Sequence, residues 1–221
     1  MNSIAENIRK FHEAVPPGVE IVAVSKFHPD SMIMEAYEAG QHIFGESRVQ
    51  EFVEKVKTLP SDIQWHFIGH LQTNKVRQII GKTSLIESVD SERILDLIDR
   101  ESERAGVVTK VLLQVHVAAE EAKFGFSPEE LMNYFENLKY RDLKATHICG
   151  LMGMATNTED TERVREDFRT LHSLFEEVKR KSIDLKGFNQ LSMGMSGDWP
   201  IAVEEGSNII RIGSAIFGER K

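Results

Sequence analysis

Thr146-His147-Ile148-Cys149-Gly150-Leu151-Met152, then Asp160 to Lys181, then Asn189-Gln190-Leu191-Ser192-Met193 are the stretches that decide the fold. The first and last are short, nearly continuous apolar runs, the pattern of strands buried on both faces of a parallel sheet. Between them Val164, Phe168, Leu171, Leu174, Phe175 and Val178 recur at three- and four-residue spacing. That spacing gathers them into one apolar stripe on a helix. A strand, a helix and a second strand in this order make a parallel pair joined by a right-handed crossover.

The same alternation extends to both ends of the chain. Further apolar runs are Ile21–Val24, His42–Gly45, Trp65–Gly69, Ser84–Val89, Lys110–Val117 and Asn208–Ile212. With the two above they give eight strand candidates, linked by seven helix candidates and preceded by one at about residues 2–14. Ser91 to Arg104 repeats the helical stripe through Ile94, Leu95, Leu97 and Ile98, after a cap at Asp90 or Ser91. Eight such units favour a closed α/β barrel; a doubly wound open sheet is the competing architecture. No Pro/Gly/Ser-rich linker or tandem repeat divides the chain, so residues 1–221 are expected to form one domain.

Composition limits the function. Hydrophobic residues make up 41% and charged residues 28%, as in folded soluble proteins, and the net charge of −8 argues against nonspecific nucleic-acid binding. The single cysteine, Cys149, cannot form an intrachain disulfide, and a reducing cytoplasm is expected. The first fifteen residues carry Glu6 and Glu13 and lack a signal-peptide core, and no apolar run reaches the roughly 18 residues of a membrane span.

In parallel barrels the chemistry sits at the C-terminal strand ends. The first strand ends Val24-Ser25-Lys26-Phe27-His28-Pro29, which puts Lys26 at the barrel mouth. Desolvation there would lower its pKa, as an imine-forming lysine requires; the plainer reading is a lysine snorkelling at the rim. The seventh strand leaves through Gly194-Met195-Ser196-Gly197-Asp198-Trp199-Pro200, with Ser196 or Asp198 as a helix cap, and the eighth ends Arg211-Ile212-Gly213-Ser214. Small residues after these two strands are the usual phosphate position in this fold, and Ser196 and Ser214 can donate hydroxyl hydrogens. The plainer reading is two tight turns. A Schiff-base lysine beside a phosphate cradle points to pyridoxal 5′-phosphate (PLP) or to the sugar phosphate of a lysine-dependent aldolase. A guanidinium from Arg211 on a PLP ring nitrogen would keep that nitrogen unprotonated; the alternative is a salt bridge inside the barrel.

The chain resembles the YggS/PROSC family of PLP homeostasis proteins along nearly its whole length. The matching stretches include Val22-Ala23-Val24-Ser25-Lys26, Phe44-Gly45-Glu46, His66 to Lys75, Lys123-Phe124-Gly125, Leu191 to Ser196 and Arg211 to Gly218. The resemblance implies a (β/α)8 TIM barrel like the N-terminal domain of alanine racemase, with an N-terminal helix. It also implies PLP on Lys26, Ser196, Gly213 and Ser214 around the phosphate, and Arg211 near the ring nitrogen. Where the family commonly has Phe-Gly-Glu-Asn, this chain has Ser47, a shorter side chain with a hydroxyl in place of the amide.

A PLP carrier or regulator, monomeric and passing cofactor to apo-enzymes, is therefore the expected function, with no catalytic residue. The alternative is a racemase-like enzyme, which needs a second acid/base group, a tyrosine in the alanine-racemase-like enzymes. Tyr37, Tyr134 and Tyr140 fall in predicted helices or helix ends. No metal is expected: His66 and His70 lie across a strand end and its turn, and His116 and His147 read as core histidines in strands. Glu120, Glu121 and Lys123 read as a charged loop near the mouth.

Overall fold

The apolar runs become the staves of a closed barrel. The computed structural model describes residues 3–119, 124–182 and 184–218. Strands β1 (Glu20–Val24), β2 (Ile43–Glu46), β3 (Gln64–Phe67), β4 (Leu85–Val89), β5 (Thr109–Gln114), β6 (Thr146–Met152), β7 (Gln190–Met195) and β8 (Ile209–Ile212) follow one another around it. Each is parallel to its neighbours, and β1 closes on β8 with Glu20 opposite Ile209 and Ala23 opposite Ile212. The open sheet is thereby excluded.

The described helices are α1 (Ile4–Ala14), α2 (Asp30–Glu38), α3 (Val49–Thr58), α4 (Val76–Ile79), α5 (Glu92–Ala105), α6 (Pro128–Glu136), α7 (Thr161–Lys181), α8 (Trp199–Glu204) and α9 (Ser214–Phe217). In α7 the Asp160 side chain accepts hydrogen bonds from the Glu162 and Arg163 amides, and the whole expected stripe is buried. Ser91 holds the cap position of α5 without a side-chain cap bond, and Gly106 ends that helix in the left-handed region at φ 67°.

Strand residues alternate between two cores, as barrel geometry requires. Outward residues such as Ile21, Phe44, Trp65 and Ile210 join the helix faces in one large buried cluster. Val22, Leu85, Leu112, Cys149, Met152 and Ile209 form a smaller one inside the barrel.

Three expectations need correction. β5 stops at Gln114, where the returning chain takes over one edge: Phe126 donates to Gln114 and His116 to Phe126, while on the other edge Val115 still donates to Met152 of β6. His116 therefore lies beyond the strand, and His147, though in β6, is exposed near its start instead of in the core. The short helix α9, after β8, was not anticipated. Among the described residues no helix is long and apolar enough to cross a membrane.

Candidate functional site at the barrel mouth

The site is assembled from the loops that leave β1, β7 and β8. After β1, the Ser25 amide donates to the Gly45 carbonyl at 3.0 Å, and the Ser25 carbonyl accepts from the His28 amide at 3.1 Å. Lys26 and Phe27 form the tip of that turn, and Phe27 is left-handed, at φ 67°. The His28 ring stacks on Phe217 of α9 at 4.8 Å, joining the first loop to the last.

β7 leaves through Gly194 at φ 95°, where a Cβ would lie 2.5 Å from the Ala202 Cβ and 3.1 Å from the Trp199 Cα. Only glycine lets the chain pass α8 this closely. Asp198 stands at the cap position of α8, but its carboxylate turns back to accept from the Met195 amide at 2.5 Å. Ser196 is thus free of the capping role; its Oγ accepts from the Gly213 amide at 3.2 Å and ties the β7 loop to the β8 loop.

These loops enclose a cavity of about 290 Å³. Lys26, Ser196, Arg211, Gly213 and Ser214, the five residues singled out from strand ends, all line it. Val24, Ile68, Met154 and Met195 supply apolar walls, and His28 and Ser47 also face it. Met154 and Met195 are exposed at the rim, whereas Met152 and Met193 are buried.

Arg211 is held from behind. Its Nη1 donates to Ser192 Oγ at 2.6 Å and its Nη2 to the Gly153 carbonyl at 2.9 Å, while Glu87 Oε2 stands 3.8 Å away. Glu87 also accepts from Ser192 Oγ and meets His66 Nδ1, each at 2.6 Å. Burial alone would raise the Glu87 carboxyl, but His66, Arg211 and Ser192 outweigh it and hold it below the ordinary carboxylate value. Burial pulls the Arg211 guanidinium down from its usual value, against the attraction of Glu87 and Asp198. The salt bridge considered for Arg211 thus exists, and the residue still forms a cavity wall.

His66 lies within β3 and is buried on Glu87, whereas His70 is exposed, bonded to Asp90 at 2.8 Å and stacked on Phe124 at 3.8 Å. The two histidines therefore serve different clusters. Among the described residues no group of three or more His, Cys, Asp or Glu is arranged to hold a metal. Glu120, Glu121 and Lys123 fall outside the described residues.

The cavity fits a flat, anionic aldehyde. Hydroxyls from Ser196 and Ser214 suit a phosphate, apolar walls suit a ring, and Lys26 suits a carbonyl carbon. A Cβ built on Gly197 would meet no protein atom within 4 Å, so packing within the protein does not require that glycine, whose absent side chain leaves the cavity wall open.

Fold and site together define a barrel of the alanine racemase type, and the family model described as "Alanine racemase, N-terminal domain" matches residues 1–221. The pyridoxal phosphate homeostasis protein of Aquifex aeolicus (strain VF5) is 40% identical, covering 100% of this chain and 97% of that protein. The human protein of the same name is 39% identical over 90% of this chain and 76% of its own. The structure of PipY from Synechococcus elongatus PCC7942 with PLP bound superimposes with a TM-score of 0.88 at 36% identity, covering 98% of this chain and 100% of that one. The chain belongs to the family of pyridoxal phosphate homeostasis proteins. Alanine racemase from Streptomyces coelicolor A3(2), at 16% identity and a TM-score of 0.75, shares the fold alone.

Proposed function

We propose that this protein binds PLP as a Schiff base on Lys26 and serves PLP homeostasis as a carrier or regulator, residues 1–221 acting as one binding unit. The observation that carries the reading is the convergence of Lys26, Arg211 and the joined Ser196 and Gly213 loops on one cavity. Ser196 Oγ accepts from Gly213, which leaves its own hydrogen to donate to a phosphate. Gly213 and Ser214 would complete that cradle. Arg211, its charge balanced by Glu87, would face the ring nitrogen and keep it unprotonated. When bound, PLP supplies a reactive aldehyde and a ring able to withdraw electrons. An arginine at the ring nitrogen weakens the second property and leaves the first, which suits storage and delivery better than turnover.

Racemisation would need a second acid/base group in reach. None of the three tyrosines lines the cavity: the Tyr37 hydroxyl bonds to Asp62, Tyr140 bonds to Asp184, and Tyr134 is buried in α6, while the imidazole at the cavity, His28, is stacked on Phe217. The proposed reading also takes the protein as a cytoplasmic monomer without a catalytic residue, with apo-forms of PLP enzymes as recipients. Purified protein should show a visible absorption band that borohydride bleaches, with a phosphopyridoxyl group on Lys26 by peptide mapping. A protein that stays colourless in added PLP would overturn the reading, and sustained racemase turnover would overturn the carrier role.

A further inference from the structure

Two residues of α3, one helical turn apart, reach the peptide groups on either side of Lys26. Glu51 Oε2 accepts from the Phe27 amide at 2.8 Å, and Lys55 Nζ donates to the Ser25 carbonyl at 2.9 Å. The Lys55 ammonium also pairs with Glu46 Oε1 at 2.6 Å and stands 3.7 Å from Glu51 Oε2. Ser25 Oγ donates to the same Glu46 oxygen at 2.8 Å. Ser25 and Glu46 are fully buried and Lys55 is 7% exposed, so the Lys55–Glu46–Ser25 part has little water to compete with it, whereas the Glu51–Phe27 bond lies at the surface. None of Glu46, Glu51 and Lys55 lines the cavity.

What the chain of charges holds is an unfavourable turn. Phe27 is one of only two described non-glycine residues with positive φ. A bulky residue stays in the left-handed region only where its surroundings over-determine it. Here the peptide before Lys26 is fixed through its carbonyl and the peptide after it through its N–H. With both neighbours pinned, the direction in which the Lys26 side chain leaves the backbone is set from outside the barrel.

We propose that Glu51 and Lys55 are positioning residues for Lys26, holding the left-handed turn that aims its amine into the cavity. The proposal rests on Lys26 being the PLP-bearing lysine. In that reaction Lys26 Nζ bonds to the aldehyde carbon, and the aldehyde oxygen departs as water. A displaced amine slows bond formation without disturbing phosphate recognition on the far loops.

The test compares Glu51→Ala with Glu51→Gln, whose amide oxygen can still accept from Phe27. Glu51 is partly exposed, so both variants should fold, as thermal unfolding would verify. The probes are PLP and pyridoxamine 5′-phosphate, which carries no aldehyde. Glu51→Ala should form the imine band about ten- to a hundredfold more slowly than wild type. It should bind pyridoxamine 5′-phosphate as wild type does and exchange the Phe27 amide hydrogen faster, and Glu51→Gln should restore both the band and the protection. Imine formation by Glu51→Ala at the wild-type rate, or equal impairment of both variants, would overturn the proposal. A wild-type protein that forms no band would instead overturn the PLP reading on which it stands.

Discussion

Glu87 is a fully buried carboxylate in the middle of a barrel strand, and its neighbours decide what it contributes. Because its folded pKa is depressed, its contribution is complete above the ordinary carboxylate range and lost as pH falls through the folded value. Glu87→Gln should cost about 3 kcal/mol at neutral pH, since it leaves Arg211 buried without its counter-charge. Denaturant unfolding over a pH series should show wild type and variant converging in acid. A gap that does not change with pH would mean that the carboxylate charge is not what stabilises. This cluster was not legible in the sequence, although the places of Lys26 and Arg211 at the barrel mouth were. A strand end marks a residue by position alone, whereas Glu87 acquires its meaning from His66, 21 residues away, and Ser192, 105 residues away. The one available signal was a carboxylate inside the apolar run Leu85–Val89, which a strand buried on both faces does not tolerate without partners. Glu51 and Lys55 gave even less signal, since charged residues on a helix usually face water.

At the scale of elements, the strand centres were readable because two-sided burial forces apolar runs, and their ends were not, because hydrogen-bond competition sets them. β5 is the clear example: its apolar run continues through Val115 and Val117, yet at Gln114 the backbone partner on one edge becomes Phe126. Helix α9 escaped notice because its Ser-Ala-Ile-Phe is too short to show a period. Close packing between loops is equally invisible in the sequence. A Cβ on Gly69 would collide with the Ser47 carbonyl, so the loops after β2 and β3 fit together only with glycine there. Gly69→Ala should cost about 2 kcal/mol as an overpacked site. Because Ser47 and Ile68 both line the cavity, the same variant should weaken PLP uptake, measured by titration of the visible band. Unchanged stability and uptake would show that these loops adapt freely.

Across the whole molecule, periodicity could count the strands but not close them; closure depends on the pairing of β1 with β8, which no local pattern encodes. One thiol reports on that closure. Cys149 belongs to the cluster inside the barrel, and burial pushes its thiol above its ordinary value, so thiolate is scarce. A small thiol reagent should label it only as fast as the barrel opens globally, the rate tracking unfolding measured by circular dichroism. Rapid labelling of folded protein would reveal a local opening in the wall. The closing seam also imposes an order in time. Lys26 follows the first strand while Gly213 follows the last, and a growing chain emerges from its N-terminus. Until residues 209–212 have been synthesised and docked, no cavity exists between them. Under the proposed function, cofactor capture therefore waits for β8, and a chain folded only through β7 holds half of the grip.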